Sequence, residues 1–209
     1  MKSSKSNLSM QGKKQRDSIR QNKRHYGRIK FIVAAVICLA FIRPPAAYCQ
    51  QYSTRAGFVG FYSKTALEDI KGENNQVFAV VDAGKKNLAF AALLKGFVFP
   101  KELMQEHFNE NYVESDKYPK ATFSGAYTGD VALDKDGVYK VTVKGNLTLH
   151  NVTKPIETSA TLEVKAGHLI GVADFKVKPE DFNISIPSVV RDKIDKEIAV
   201  KVNIDCTSK

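Results

Sequence analysis

Beyond residue 49 the sequence predicts an all-β domain of antiparallel strands, on three observations. Apolar and polar residues alternate along 138–149 and again along 156–164, Gly, Asn and Asp clusters punctuate the runs between 57 and 205, and one stretch alone reads as a helix. Alternation with period two marks a half-buried strand. Short strands divided by turn formers fit a sandwich and a barrel equally well, so the periodicity leaves that choice open. The roughly 160 residues are enough for one domain burying about 70 per cent of its unfolded surface, and no repeat or low-complexity linker divides them.

In chain order, strands are expected over 57–63 and 76–82, with a short run at 68–71 before a turn at 72–75, GENN. Gly and Asn are turn formers because both tolerate a left-handed backbone. Strand 87–94 follows a turn at 84–86, and a short run at 97–99 precedes Pro100. The helix is 101–112. Pro100 sits where a first-turn proline is tolerated, and Glu102 suits the positive end of the helix dipole. Leu103, Met104, His107, Phe108 and Tyr112 make an apolar stripe opposite Gln105, Glu106, Asn109 and Glu110. That stripe braces one end of the domain or lines a mouth there, with bracing the first reading. The charged stretch 114–120 is expected to be solvated.

Strand 121–128 leads through a turn at 134–137 into the longest pattern. Tyr139, Val141, Val143, Leu147 and Leu149 share one face, and Lys140, Thr142, Lys144, Asn146, Thr148 and His150 the other. Residues 151–155 then turn the chain, since Asn151 tolerates positive φ and Pro155 cannot donate to a central ladder. Ile156, Thr158, Ala160, Leu162 and Val164 resume the alternation, giving a long antiparallel hairpin. Ala166 and Gly167 turn the chain into strand 168–177. In 181–186, Asp181 and Asn183 can bond their own backbone while Phe182, Ile184 and Ile186 alternate inward; Pro187 ends the run, and 188–196 is a solvated turn. The last strand, 196–205, shares a face with Cys206, which reads as a small buried hydrophobe rather than a reactive thiol. In all, eight or more strands are expected.

Residues 1–49 read as a signal peptide or targeting segment. A long basic stretch precedes the uncharged run FIVAAVICLAFI at 31–42, which is short for a membrane span of about 20 residues but suits a signal-peptide core. Ala47 and Cys49 place small residues at the third and first positions before a cut ahead of Gln50, and Tyr48 disfavours lipidation at Cys49. Of 32 Lys/Arg and 22 Asp/Glu, eleven and one fall in this segment, so 21 of each remain and the domain at 50–209 is neutral. The formal charge of +10 is therefore no argument for a nucleic-acid partner. A membrane is a partner only through the targeting segment, if that stays uncleaved.

The hairpin VYKVTVKGNLTLHNVTKP at 138–155, together with KYPKATF at 117–123, DFNIS at 181–185 and MQEHFNENYVESDKYP at 104–119, resembles the YceI-like family of secreted lipid-binding proteins. One departure is Asn151, where the family more often has Gly; Asn is the next best residue at positive φ. The resemblance implies a lipocalin-like antiparallel β-barrel of about eight strands with one short α-helix, holding an isoprenoid or similar apolar lipid. It also implies export, to the periplasm or the outside of a bacterium. The sequons at Asn146, Asn151 and Asn183 are accordingly expected to be unmodified.

A barrel of about eight strands is either just filled by side chains or holds one small ligand. Small residues at Gly60, Ala89, Ala91, Ala92, Gly96, Gly125, Gly171 and Ala173 leave room inside or let strands pack closely. The candidate ligand contacts on the strands are Phe90, Leu94, Phe123, Tyr139, Val141, Leu147, Leu149 and Phe175. At one end they are Phe97, Phe99, Leu103, Met104, Phe108 and Phe182. An enzyme reading finds no Gly-x-Ser-x-Gly, Cys-x-x-Cys, His-Glu-x-x-His or glycine-rich phosphate loop. No catalytic residue, metal or cofactor is assigned. Glu106, His107 and Glu110 make a weak metal-like cluster, and His150 and His168 are given turn roles. A filled-barrel structural or stress-related interaction protein is the alternative function, and a lipid-modifying enzyme a more distant one.

Overall fold

Eight antiparallel strands close on themselves among the residues that the computed structural model describes, 51–208. The targeting segment assigned to residues 1–49 lies outside the described residues. The strands are β1 (Gln51–Lys64), β2 (Asp69–Asp82), β3 (Asn87–Leu93), β4 (Lys120–Thr128), β5 (Gly137–Leu149), β6 (Val152–Lys165), β7 (His168–Val177) and β8 (Ile198–Ser208), with the helix α1 (Glu102–His107) between β3 and β4. Each strand pairs with the next, and β8 returns to pair with β1. Closure gives every strand a neighbour on each side, and it settles the choice between sandwich and barrel.

The hairpins follow from local backbone chemistry. His150 and Asn151 both have positive φ, 51° and 59°, and they alone connect Leu149 to Val152. Positive φ at both central residues is the type I′ turn, whose twist matches that of paired strands. Ala166 and Gly167 repeat it between β6 and β7. The expected turn at 151–155 thus begins one residue earlier, at His150, and is shorter. Pro155 lies inside β6 opposite Asn146, in a stretch that β7 does not pair with, since that ladder spans Ala160 to Lys165. Proline is tolerated where a strand has one partner only.

Four further expectations change. Residues 72–75 are not a turn: β2 runs straight through them, and the run at 68–71 is its beginning. A Cβ on Gly72 would stand 2.6 Å from Phe61 Cε1 and 2.9 Å from Phe99 Cζ, so the glycine makes room for two rings. Asn74 is 1% exposed; its Nδ2 donates to the Leu93 carbonyl at 2.9 Å and its Oδ1 accepts the Gln76 N–H at 2.8 Å. The run at 97–99 is a single bridge between Val98 and Glu73. β1 begins at Gln51, six residues before the expected start, because Tyr52 pairs with both β2 and β8.

The helix is also shorter than expected. Lys101 caps α1, which places Pro100 outside it, and Phe108–Tyr112 continues as a π-helical turn in which the Val113 N–H donates to the Phe108 carbonyl at 2.9 Å. The stretch 114–120 is not simply solvated. Ser115 is 2% exposed with its N–H on the Asn109 carbonyl, and the Pro119 carbonyl accepts the Leu94 N–H at 2.9 Å.

Two apolar clusters divide the barrel along its axis. Tyr52, Val81, Leu88, Tyr127, Val141, Leu162, Val164, Leu169, Ile204 and Cys206 pack together at the end where β1 begins and β8 finishes. At about 1.5–3 kcal/mol per fully buried large side chain, this closed end is a main source of stability. The second cluster sits at the opposite end, where Phe97, Phe99, Val113, Phe182 and Ile184 from the connecting segments meet Val77, Ala92 and Leu94.

Candidate functional site

Between the packed closed end and the roof of connecting segments the barrel is hollow, with a cavity of about 560 Å³ that opens at the roofed end. Its wall is the inward-facing alternate residues of all eight strands. Val59 and Phe61 come from β1, Phe90 and Ala92 from β3, Ala121 and Phe123 from β4, Ala173 and Phe175 from β7, Val200 and Val202 from β8. The roof is built from Leu94, Phe97 and Phe99, from α1 and its π-helical extension, and from the 3₁₀ turn Pro179–Phe182.

Aromatic rings tie roof to wall. Phe61 lies 5.3 Å from Phe97, 5.5 Å from Phe99 and 5.1 Å from Phe108 between ring centroids, and Phe108 in turn packs on Phe97 and Phe99 at 5.7 and 5.0 Å. Lower in the wall Phe90 meets Phe123 edge-on at 6.2 Å. A ligand here faces flat apolar surfaces on several sides.

The Phe182 turn is fastened from outside the cavity. Phe182 is 1% exposed, and His150 Nδ1 donates to its carbonyl at 3.1 Å, while His150 Nε2 lies 2.8 Å from Glu114 Oε2. The imidazole also meets the Tyr118 ring edge-on at 4.5 Å. His150 therefore does more than turn the chain: it joins the β5–β6 hairpin tip, the 114–118 loop and the roof.

Polar groups gather at the opening. Lys101 Nζ is 2.9 Å from Glu68 Oε1, and that hydrogen bond, supported by the Lys101 and Lys193 charges, holds the Glu68 carboxyl below its usual range. Lys193, His107 and Ser63 also line this end, and Ser63 Oγ accepts the Asp195 N–H at 2.7 Å. Burial pushes the Tyr112 phenol up. Among the described residues no group of three or more His, Cys, Asp or Glu is placed to hold a metal. Glu106 and Glu110 do not line the cavity that His107 borders, and His168 sits on the exposed surface with Asp205 at 2.6 Å.

Twelve of the fourteen candidate ligand residues line this one cavity: Phe90, Leu94, Phe97, Phe99, Leu103, Met104, Phe108, Phe123, Leu147, Leu149, Phe175 and Phe182. Leu103 does so from the rim, 61% exposed. Tyr139 and Val141 do not. They share the inward face of β5 but stand at its closed-end half, where both pack into the filled cluster and the Tyr139 hydroxyl donates to the Ala132 carbonyl at 3.3 Å. Of the small residues, Ala92, Gly171 and Ala173 line the cavity, whereas Gly60 lies beneath the outward Phe58 and Tyr62 side chains. Ala89 and Ala91 alternate with the inward Leu88, Phe90 and Ala92 and face out. Gly125 and Gly145 allow β4 and β5 to approach. Sequence reading missed Phe61, Val59 and Val77 as wall residues, although the alternation Val59, Phe61, Ser63 carried the signal for the first two.

The chain matches a family model described as a YceI-like domain over residues 51–206. None of the curated proteins compared matches it. Among solved structures, a polyisoprenoid-binding domain from Saccharophagus degradans is 14% identical with a TM-score of 0.63, covering 77% of this chain and 99% of its own. Burkholderia cenocepacia BcnA is 16% identical with a TM-score of 0.62, covering 72% and 96%. A YCEI protein of Campylobacter jejuni is 18% identical with a TM-score of 0.53, covering 66% and 84%. At such identities the likeness is one of fold.

Proposed function

Since the chain belongs to the YceI-like family, we propose that it is a binding protein that sequesters or carries an apolar lipid, with an isoprenoid as the ligand. The observation that carries this reading is the hollow half-barrel itself, a cavity of about 560 Å³ walled by Phe, Val, Leu, Ile and Ala and open at one end. Such a volume is in the range of small-molecule sites. Each ligand methylene moved from water into it contributes about 0.8 kcal/mol, so a hydrocarbon chain is held without a charged anchor. Methyl-branched isoprene units suit a wall of ring faces and branched aliphatics, and the relative from Saccharophagus degradans is named for binding a polyisoprenoid.

The cavity also weighs against the alternative of a filled-barrel interaction protein, because only the closed end is filled. Its titratable lining residues, Glu68, Lys101, His107, Tyr112 and Lys193, include Glu68 already paired with Lys101. That arrangement serves a ligand's polar end better than it serves acid–base chemistry, and the function proposed is binding without catalysis. Export is part of the same proposal and rests on the basic stretch and apolar run of residues 1–49.

Isothermal titration with farnesol tests the binding reading. Saturable one-to-one binding with a negative heat-capacity change, the mark of apolar burial, is expected, and it should weaken at least tenfold in Ala92→Phe, which fills the cavity. Absence of binding by the intact protein would overturn the reading. Cell fractionation tests export, with the protein expected outside the cytoplasm and shortened by the targeting segment.

A further inference from the structure

The cavity has a floor, and the floor is packed. Val81, Leu88, Leu162 and Ile204 line the cavity and at the same time belong to the packed cluster of the closed end. Behind them Leu169 and Cys206 are wholly buried, so no path continues along the axis. The register shows how the floor is made. Leu162 pairs with Gly171, and Gly171 with Ile204. A Cβ on Gly171 would stand 2.9 Å from Ile204 Cγ1, so the glycine gives Ile204 the space it occupies between strands β7 and β8. One row nearer the mouth the pairing is Ala160 with Ala173 and Ala173 with Val202, all of them cavity residues. A row holding two large side chains thus lies under a row of two alanines and a valine.

We propose that this floor makes the barrel a chain-length ruler, an inference that rests on the lipid-binding reading above. The volume of about 560 Å³, at about 30 Å³ for a group the size of one water molecule or one methylene, encloses roughly twenty carbons, or about three to four isoprene units. The apolar tail end sits on Leu162 and Ile204, and the ligand's polar end lies at the mouth among Lys101, Glu68 and Lys193. A longer chain leaves its surplus units outside, in water, where they add no affinity.

Titration of the full-length protein with geraniol, farnesol, geranylgeraniol and solanesol, a series growing by whole isoprene units, reads the ruler. Each unit up to geranylgeraniol tightens Kd by about tenfold or more, and solanesol gains less than about threefold over geranylgeraniol. Ala173→Leu, whose added atoms point into open cavity, raises the floor and moves the break to farnesol. Leu162→Ala lowers it and lets binding strengthen beyond geranylgeraniol. A gain to solanesol as steep as the earlier steps, or a break that Ala173→Leu does not move, overturns the ruler while leaving the lipid reading in place. Failure of all four alcohols to bind overturns both.

Discussion

Phe61 on β1 and Phe108 in the π-helical turn stack with ring centroids 5.1 Å apart and planes 26° from parallel. That contact joins wall to roof across the open end, and Phe97 and Phe99 pack on both rings. Aromatic pairs of this kind contribute about 0.5–1.5 kcal/mol each beyond their buried area. Phe108→Ala is therefore expected to lower stability by about 2 kcal/mol, below the range for a fully buried Phe because this one is half-buried. Urea unfolding measures it. Lipid affinity should fall as well, since the roof loses a lining ring.

Gly72→Ala tests the relation between β2 and the same rings. The new Cβ would displace Phe61 and Phe99, which lie within 3 Å of its position, and overpacking of this kind destabilises by about 1–3 kcal/mol. A double-mutant cycle with Phe61→Leu should show the two changes to be coupled, because the smaller side chain relieves the clash. Additive effects would mean that Gly72 serves the backbone instead.

His150→Ala removes the fastening of the Phe182 turn. The Phe182 carbonyl loses its side-chain donor, and an unmade buried hydrogen bond destabilises by about 1–3 kcal/mol. Hydrogen exchange should locate the effect. The amides of Asn183 and Ile184, which bond back to Glu180 and Pro179, are expected to exchange faster, while those of the closed end keep their protection.

Cys206 supplies a pH prediction. Burial, with a smaller contribution from the Asp205 charge, pushes its thiol from an ordinary value of 9.0 to about 11. The folded protein thus holds a proton that the unfolded chain releases, and stability present below about pH 9 declines as pH rises toward 11, by up to about 2–3 kcal/mol. Cys206→Ala should flatten this part of the stability profile. The native thiol should also resist alkylation at neutral pH and react on unfolding.

Much of the barrel was legible because period two reports directly which face of a strand is buried. It gave the inward sets of β5, β6 and β8, and it placed Phe182 and Ile184 inward. Period two does not report depth along the barrel axis. Tyr139 and Val141 share a face with Leu147 and Leu149, yet the first two meet the filled end and the others the cavity. Local turn chemistry misled at residues 72–75, where Gly72 and Asn74 answer to distant partners: the Phe61 and Phe99 rings, and the Leu93 carbonyl. Pro155 misled for a related reason. Its strand lacks a second neighbour at that level, and pairing partners are a property of the whole sheet.

The most direct test of a lipid-holding barrel is native mass spectrometry of the protein purified from the cells that make it, followed by organic extraction of whatever it carries. One apolar molecule of isoprenoid mass per chain, lost when Ala92→Phe fills the cavity, is the predicted result. A protein that emerges empty, and stays empty when isoprenoid alcohols are added, would contradict it.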